Sequence, residues 1–155
     1  MRQPPDIVTF SKKMMTGGFY YRSEYRSQEA FRIFNTWVGD PSKVVLLDAV
    51  IQVIKAENLL QQVTNVGKYL WAGLEGIQAK YPGLLSRVRG LGTMGAVDFP
   101  STDQRNKAIS KLLSKGVNVG GCGDRALRLR PTLTLQKHHV DIFLDKMNSV
   151  CDEMK

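Results

Sequence analysis

Apolar residues change period several times along the chain, and each change marks an element. Ile7-Val8-Thr9-Phe10 is a short β-rich run that follows Pro4-Pro5, so a strand is predicted to start near Ile7. The pair Gly17-Gly18 permits a sharp reversal, after which Phe19 to Tyr21 can begin a second strand. Arg22 to Arg32 is polar with neither hydrophobic period and reads as a loop packed on something larger. Asp40-Pro41-Ser42 is a helix start, with Asp40 as the cap and Pro41 at the first helical position. From Val44 to Ile54 apolar residues fall nearly all round that helix, which predicts a core helix covered on several sides. Beyond the polar break at 55–58, Leu59, Val63, Val66, Leu70, Leu74, Ile77 and Tyr81 recur every three or four residues. They predict an amphipathic helix ended by Pro82-Gly83.

The remainder reads as a small α/β lobe. Gly95 to Phe99 is a glycine-punctuated strand within 87–99, and a helix follows from about Thr102 to Lys115, ended by Gly116. Val117 to Val119 is read as a short strand and Gly120 to Asp124 as a turn. Ala126 to Arg130 alternates apolar and basic, and a helical stripe runs from Lys137 to Met154, with His138 and His139 at its start as surface or capping residues. Strands alternating with helices predict an α/β or α+β fold.

Composition narrows the function classes. With 155 residues, 43% hydrophobic and 23% charged, the chain suits one domain or two small lobes, and wholesale disorder is excluded. No apolar run approaches the roughly 20 residues that cross a bilayer, so no membrane partner is expected, and no targeting segment is written in the chain. The net charge of +8 raises the question of nucleic acid, but the basic residues are interleaved with acidic ones or spread along one helix. Cys122 and Cys151 make no CxxC or Cys/His set, so neither a disulfide framework nor a metal is expected.

Three places could carry chemistry. Lys12 and Lys13, at a strand end, could provide an amine nucleophile if desolvation or a neighbouring cation kept one of them neutral; the plainer reading is a solvated turn. Thr36, before the helix at Pro41, could help cradle a phosphate, although Asp40 is itself a suitable anion for that helix end. Arg128 and Arg130 share one strand face and could grip a carboxylate, or be an exposed basic face. Gly120-Gly121-Cys122-Gly123 resembles an anion nest but lacks the Lys and Ser/Thr of a P-loop.

The order and spacing of these segments, Pro5-Asp6-Ile7-Val8-Thr9-Phe10-Ser11-Lys12-Lys13-Met14-Met15-Thr16-Gly17-Gly18, Arg32-Ile33-Phe34-Asn35-Thr36-Trp37, Arg87-Val88-Arg89-Gly90 and Gly120 to Leu133, closely resemble the class III pyridoxal-phosphate-dependent aminotransferases. The resemblance covers nearly the whole chain but only the carboxy-terminal part of such an enzyme, so the chain is expected to be a truncation. It implies a fold-type-I fragment: 1–40 the end of the large pyridoxal 5'-phosphate domain, 41–82 connecting helices, and 83–155 the small carboxy-terminal α/β domain.

The resemblance also implies roles. Lys12, six positions after Asp6, is similar to the Schiff-base lysine, with Lys13 as the alternative; Thr36 matches the threonine that contacts the cofactor phosphate of the neighbouring subunit; Arg128 matches an active-site arginine of the small domain, here taken as substrate-binding. The implied reaction moves an amino group from 4-aminobutyrate to 2-oxoglutarate, in a homodimer of the mitochondrial matrix. The family's pyridine-binding aspartate, stacking aromatic, glycine-rich phosphate turn, main substrate arginine and iron–sulfur cysteines have no counterpart in this chain. Weak cofactor binding and no turnover are therefore expected of it alone. The rival reading is a non-enzymatic basic module that binds RNA or another anion.

Overall fold

The computed structural model describes residues 3–155, which form two compact units, 3–57 and 58–155. In the first, strand β1 (Ile7–Phe10) pairs antiparallel with β2 (Gly18–Tyr21), Phe10 opposite Gly18. A Cβ at Gly18 would lie 2.8 Å from the tip of the Phe10 ring, so a larger residue there would have to displace that ring. A single 3₁₀ turn, Lys12–Met14, reverses the chain between them, and Lys12 (φ 64°) and Met15 (φ 61°) both adopt the left-handed backbone that non-glycine residues rarely take. The loop read across Arg22 to Arg32 holds one further 3₁₀ turn, Ser23–Tyr25, and ion pairs from Arg22 to Asp6 and from Arg32 to Glu29.

Helix α1 (Pro41–Ala56) begins where its sequence predicts. Asp40 Oδ1 accepts from the Ser42 backbone N–H at 2.9 Å and from its hydroxyl at 2.7 Å. These bonds, with Lys43 nearby, hold the Asp40 carboxyl below the usual carboxylate range. The expectation of a covered core helix is corrected: none of its residues is buried, and Val45 is 69% exposed. Its apolar composition is real, but the layers that would cover it are not supplied within the first unit, where no described residue is buried.

The second unit holds the core. Helix α2 (Leu59–Lys80) lays Leu70, Leu74 and Ile77 on a four-stranded antiparallel sheet of order β3-β4-β6-β5, with helices α3 (Thr102–Ser114) and α4 (Lys137–Asp152) completing the mixed α/β layers. Leu74, Val97, Leu112, Leu127, Met147 and Val150 are completely buried. Ser101 caps α3, and the His139 ring accepts the Gln136 backbone N–H at 3.1 Å, the capping role expected at the start of α4.

One strand reading holds and one is corrected. The strand read from Gly95 to Phe99 is β4 (Met94–Asp98), and the segment before it supplies a hairpin partner, β3 (Ser86–Leu91), because Gly92 at φ 56° allows a two-residue link. Val117 to Val119 is not a strand; pairing starts at β5 (Gly120–Cys122), so the stretch read as a turn carries the edge strand opposite β6 (Ala126–Leu129). Backbone pairing needs no side chain, which is why a Gly-Gly-Cys strand is invisible to a hydrophobic period.

Candidate active-site residues

Lys12 opens the 3₁₀ turn at the tip of the β1–β2 hairpin. Its carbonyl accepts the Met15 N–H at 2.9 Å, which closes the turn and leaves the lysine side chain projecting from the end of a strand. Lys12 and Lys13 are both exposed, so the first unit does not supply the water exclusion that a neutral amine requires.

Thr36 lies in the segment leading to α1. Asn35 shapes that segment locally: its Oδ1 accepts the Trp37 N–H at 2.8 Å and its carbonyl the Val38 N–H at 3.1 Å. Thr36 is exposed, as is Trp37 at 73%. Since Asp40 occupies the amino end of α1, a phosphate meeting Thr36 would be held from the loop and not by that helix end.

Arg128 stands on β6 in register with Ala96 of β4 and Gly120 of β5. Directly opposed residues share a sheet face, so Arg128 leaves the sheet between two residues with little or no side chain. Leu127 and Leu129 turn the opposite way into the core. Arg105 of α3, itself 7% exposed, supports this hairpin from beneath: its Nη1 donates to the Ala126 carbonyl at 3.0 Å, and a Cβ on Gly121 would lie 2.2 Å from that nitrogen. Arg128 and Arg130 border a cavity of about 440 Å³. Sequence reasoning missed that cavity, and its only trace was the apolar Val117-x-Val119 segment read as a strand.

Lys12 and Thr36 belong to the first unit and Arg128 to the second. A primary amine, a hydroxyl and an unpaired guanidinium suit an aldehyde, a phosphate and a carboxylate respectively, so the donor set is chemically fit for pyridoxal phosphate and an acidic substrate. Among the described residues no group of three or more His, Cys, Asp or Glu could hold a metal ion. The cysteines are free, with Cys122 exposed and Cys151 buried.

The family model for aminotransferase class-III proteins matches residues 1–151. This chain belongs to the class-III aminotransferases. Among the class-III relatives, the mitochondrial 4-aminobutyrate aminotransferase of Sus scrofa is 50% identical over 152 residues, 98% of this chain and 30% of that protein. The 4-aminobutyrate aminotransferase of Dictyostelium discoideum is 46% identical over 154 residues, 99% of this chain and 31% of its own length. The lysine aminotransferase of M. tuberculosis, solved in its internal aldimine form, superposes with a TM-score of 0.91 at 30% identity, over 98% of this chain and 36% of that one. An S-selective transaminase from Arthrobacter sp. shares the fold, with a TM-score of 0.87 at 22% identity over 98% of this chain and 39% of that one. The chain thus spans about a third of the length of the relatives it matches.

Proposed function

We propose that this chain is the carboxy-terminal portion of a 4-aminobutyrate aminotransferase, an enzyme that passes the amino group of 4-aminobutyrate to 2-oxoglutarate with pyridoxal 5'-phosphate as cofactor. The observation that carries the reading is the class-III match through the lysine hairpin, together with 50% identity to the Sus scrofa enzyme. In the full-length enzyme we assign residues 1–40 to the end of the large domain, 41–82 to connecting helices and 83–155 to the small domain.

Pyridoxal phosphate, when bound, supplies an aldehyde carbon that accepts an amine and a ring that takes up the electron pair left by proton removal. Lys12 would hold that aldehyde carbon through Nζ, and as a free amine the same nitrogen would take a proton from the carbon bearing the substrate nitrogen and return it on the cofactor side. In a homodimer Thr36 would donate its hydroxyl to a cofactor phosphate oxygen of the neighbouring subunit, which suits its exposed place on the loop. Arg128 orients the substrate carboxylate through paired N–H donors. The names of the mammalian relatives call those enzymes mitochondrial, and we assign the whole enzyme to the mitochondrial matrix on the family resemblance.

The exposed Lys12 amine explains why this chain alone is expected to bind the cofactor weakly and not to turn over. Borohydride reduction of a pyridoxal phosphate mixture followed by peptide mapping tests the reading. The label is expected on Lys12 and absent from a Lys12→Ala variant. Label on Lys13 would move the assignment by one residue, and equal labelling of all exposed lysines would defeat it. The anion-binding alternative has no comparison in its favour; it calls for salt-dependent RNA affinity that survives Lys12→Ala.

A further inference from the structure

The edge strand β5 has little side chain with which to anchor itself. Gly120 and Gly121 carry none, and Cys122 is exposed. Arg128, between Gly120 and Ala96, has no ion pair among the described residues, whereas Arg22, Arg32, Arg87 and Arg89 all have carboxylate partners. The direction in which its guanidinium leaves the sheet is therefore set by the backbone of β6.

That backbone is held from α3, which packs on the core side of the sheet. Thr102 Oγ1 donates to the carbonyl of Asp124, in the turn between β5 and β6, at 2.6 Å. Three residues along the same helix, Arg105 donates from Nη1 to the Ala126 carbonyl at 3.0 Å and from Nε to Asn106 Oδ1 at 2.8 Å. Ala126 opens β6, pairs with Cys122 on one side and Asp98 on the other, and lies two positions before Arg128 on the same sheet face. The guanidinium also lies against the backbone of Gly121, where a Cβ would be 2.2 Å from Nη1 and 2.6 Å from Cζ. One side chain thus bonds β6 and packs beneath β5.

Arg105 is the only buried arginine among the described residues, at 7% exposure, and no described carboxylate pairs with it. Taking a guanidinium out of water against neutral acceptors has a cost that a leucine or methionine at the same place would not carry. Volume alone does not account for an arginine here; a rigid fork of donors does.

We propose that Arg105 is a positioning residue for the transaminase reaction: by fixing the β5–β6 hairpin on α3 it sets the direction in which Arg128 presents its N–H donors to the substrate carboxylate. The inference rests on the assignment of Arg128 to that carboxylate.

Steady-state kinetics of the full-length enzyme that carries this chain test it. Arg105→Met should raise KM for 4-aminobutyrate about tenfold or more and leave kcat within about threefold, because a displaced Arg128 loosens the hold on the carboxylate, whereas loss of folded enzyme lowers kcat and leaves KM alone. Arg105→Lys, which keeps one donor for the Ala126 carbonyl, should raise KM by about threefold or less. In an Arg128→Gln background, Arg105→Met should change KM by less than about twofold, since a residue that acts through Arg128 has nothing left to position. Gly121→Ala, whose methyl group displaces the guanidinium, should raise KM in the same direction and serves as the second variant if Arg105→Met does not fold. An unchanged KM in folded Arg105→Met, or in Gly121→Ala where that variant does not fold, overturns the positioning role. So does an undiminished effect of Arg105→Met in the Arg128→Gln background. Absence of 4-aminobutyrate turnover in the parent enzyme, or an unchanged KM in Arg128→Gln, defeats the underlying reading and the positioning role with it.

Discussion

Trp71 of α2 donates its indole N–H to the carbonyl of Gly92 at 2.7 Å, and this bond locks the long helix onto the tip of the β3–β4 hairpin. The ring lies so close to the sheet that a Cβ at Gly90 would be 2.2 Å from it. On the preceding helical turn Gly67 meets the same carbonyl, where a Cβ would come within 2.1 Å of the Gly92 oxygen. Helix and hairpin thus approach through backbone, with the indole as the wedge beside the contact.

Gly67→Ala should therefore reverse the usual sign of a glycine-to-alanine change in a helix. Propensity alone would stabilise by about 1 kcal/mol. The clash with Gly92 should instead destabilise the second unit by about 1–3 kcal/mol, as overpacking commonly does. Urea denaturation should show a lower midpoint than for Gly76→Ala, since a Cβ at Gly76 meets nothing within 4 Å.

Leu74 and Met147 have no solvent exposure and belong to the same core cluster. Truncating either to alanine should cost about 2–5 kcal/mol. Val45→Ala on α1 should cost far less in the same measurement, because that side chain is 69% exposed and no cavity forms when it is shortened.

Glu153 receives Lys111 and Lys115, at 2.5 and 2.7 Å, and these hydrogen bonds hold its carboxyl down to about 2. The folded-state value lies below the unfolded one, so the contribution to stability is complete above the ordinary glutamate range and is lost as pH falls from about 4.5 towards 2. Glu153→Gln should flatten that part of the stability profile while leaving the profile above pH 6 parallel to the parent, as thermal melts across pH 2–7 would record.

Burial pushes the Cys151 thiol up to about 12, whereas Cys122 is exposed on the edge strand β5. Iodoacetamide at pH 8 should alkylate Cys122 in the native chain and leave Cys151 unmodified until urea is added. Mass spectrometry of the digested protein should return one modified peptide before unfolding and two after it. Early modification of Cys151 would show that α4 opens locally.

Elements that rest on local rules were legible before any coordinates. Asp40 and Pro41 announced α1, the apolar spacing from Leu59 to Tyr81 announced α2, and Ile7 to Phe10 announced β1, since capping chemistry and side-chain period act within a few residues. The chemistry of Lys12, Thr36 and Arg128 was likewise readable as residue types in order, which is how the resemblance arose. The edge strand at Gly120–Cys122 was not readable, because its signal is backbone pairing with β6 and not the character of its side chains.

Burial was the property most beyond the reach of sequence. The apolar pattern of α1 called for cover on several sides, yet the helix has no buried residue, because cover depends on other layers and not on the helix's own composition. The order of residues was enough to establish which side chains carry reactive groups and where helices begin. Only the tertiary structure decided that Arg128 stands between Ala96 and Gly120, that Arg130 meets an apolar cavity, and that Gly67 must lack a side chain, since each is a relation between segments far apart in the chain whose meeting is decided by packing.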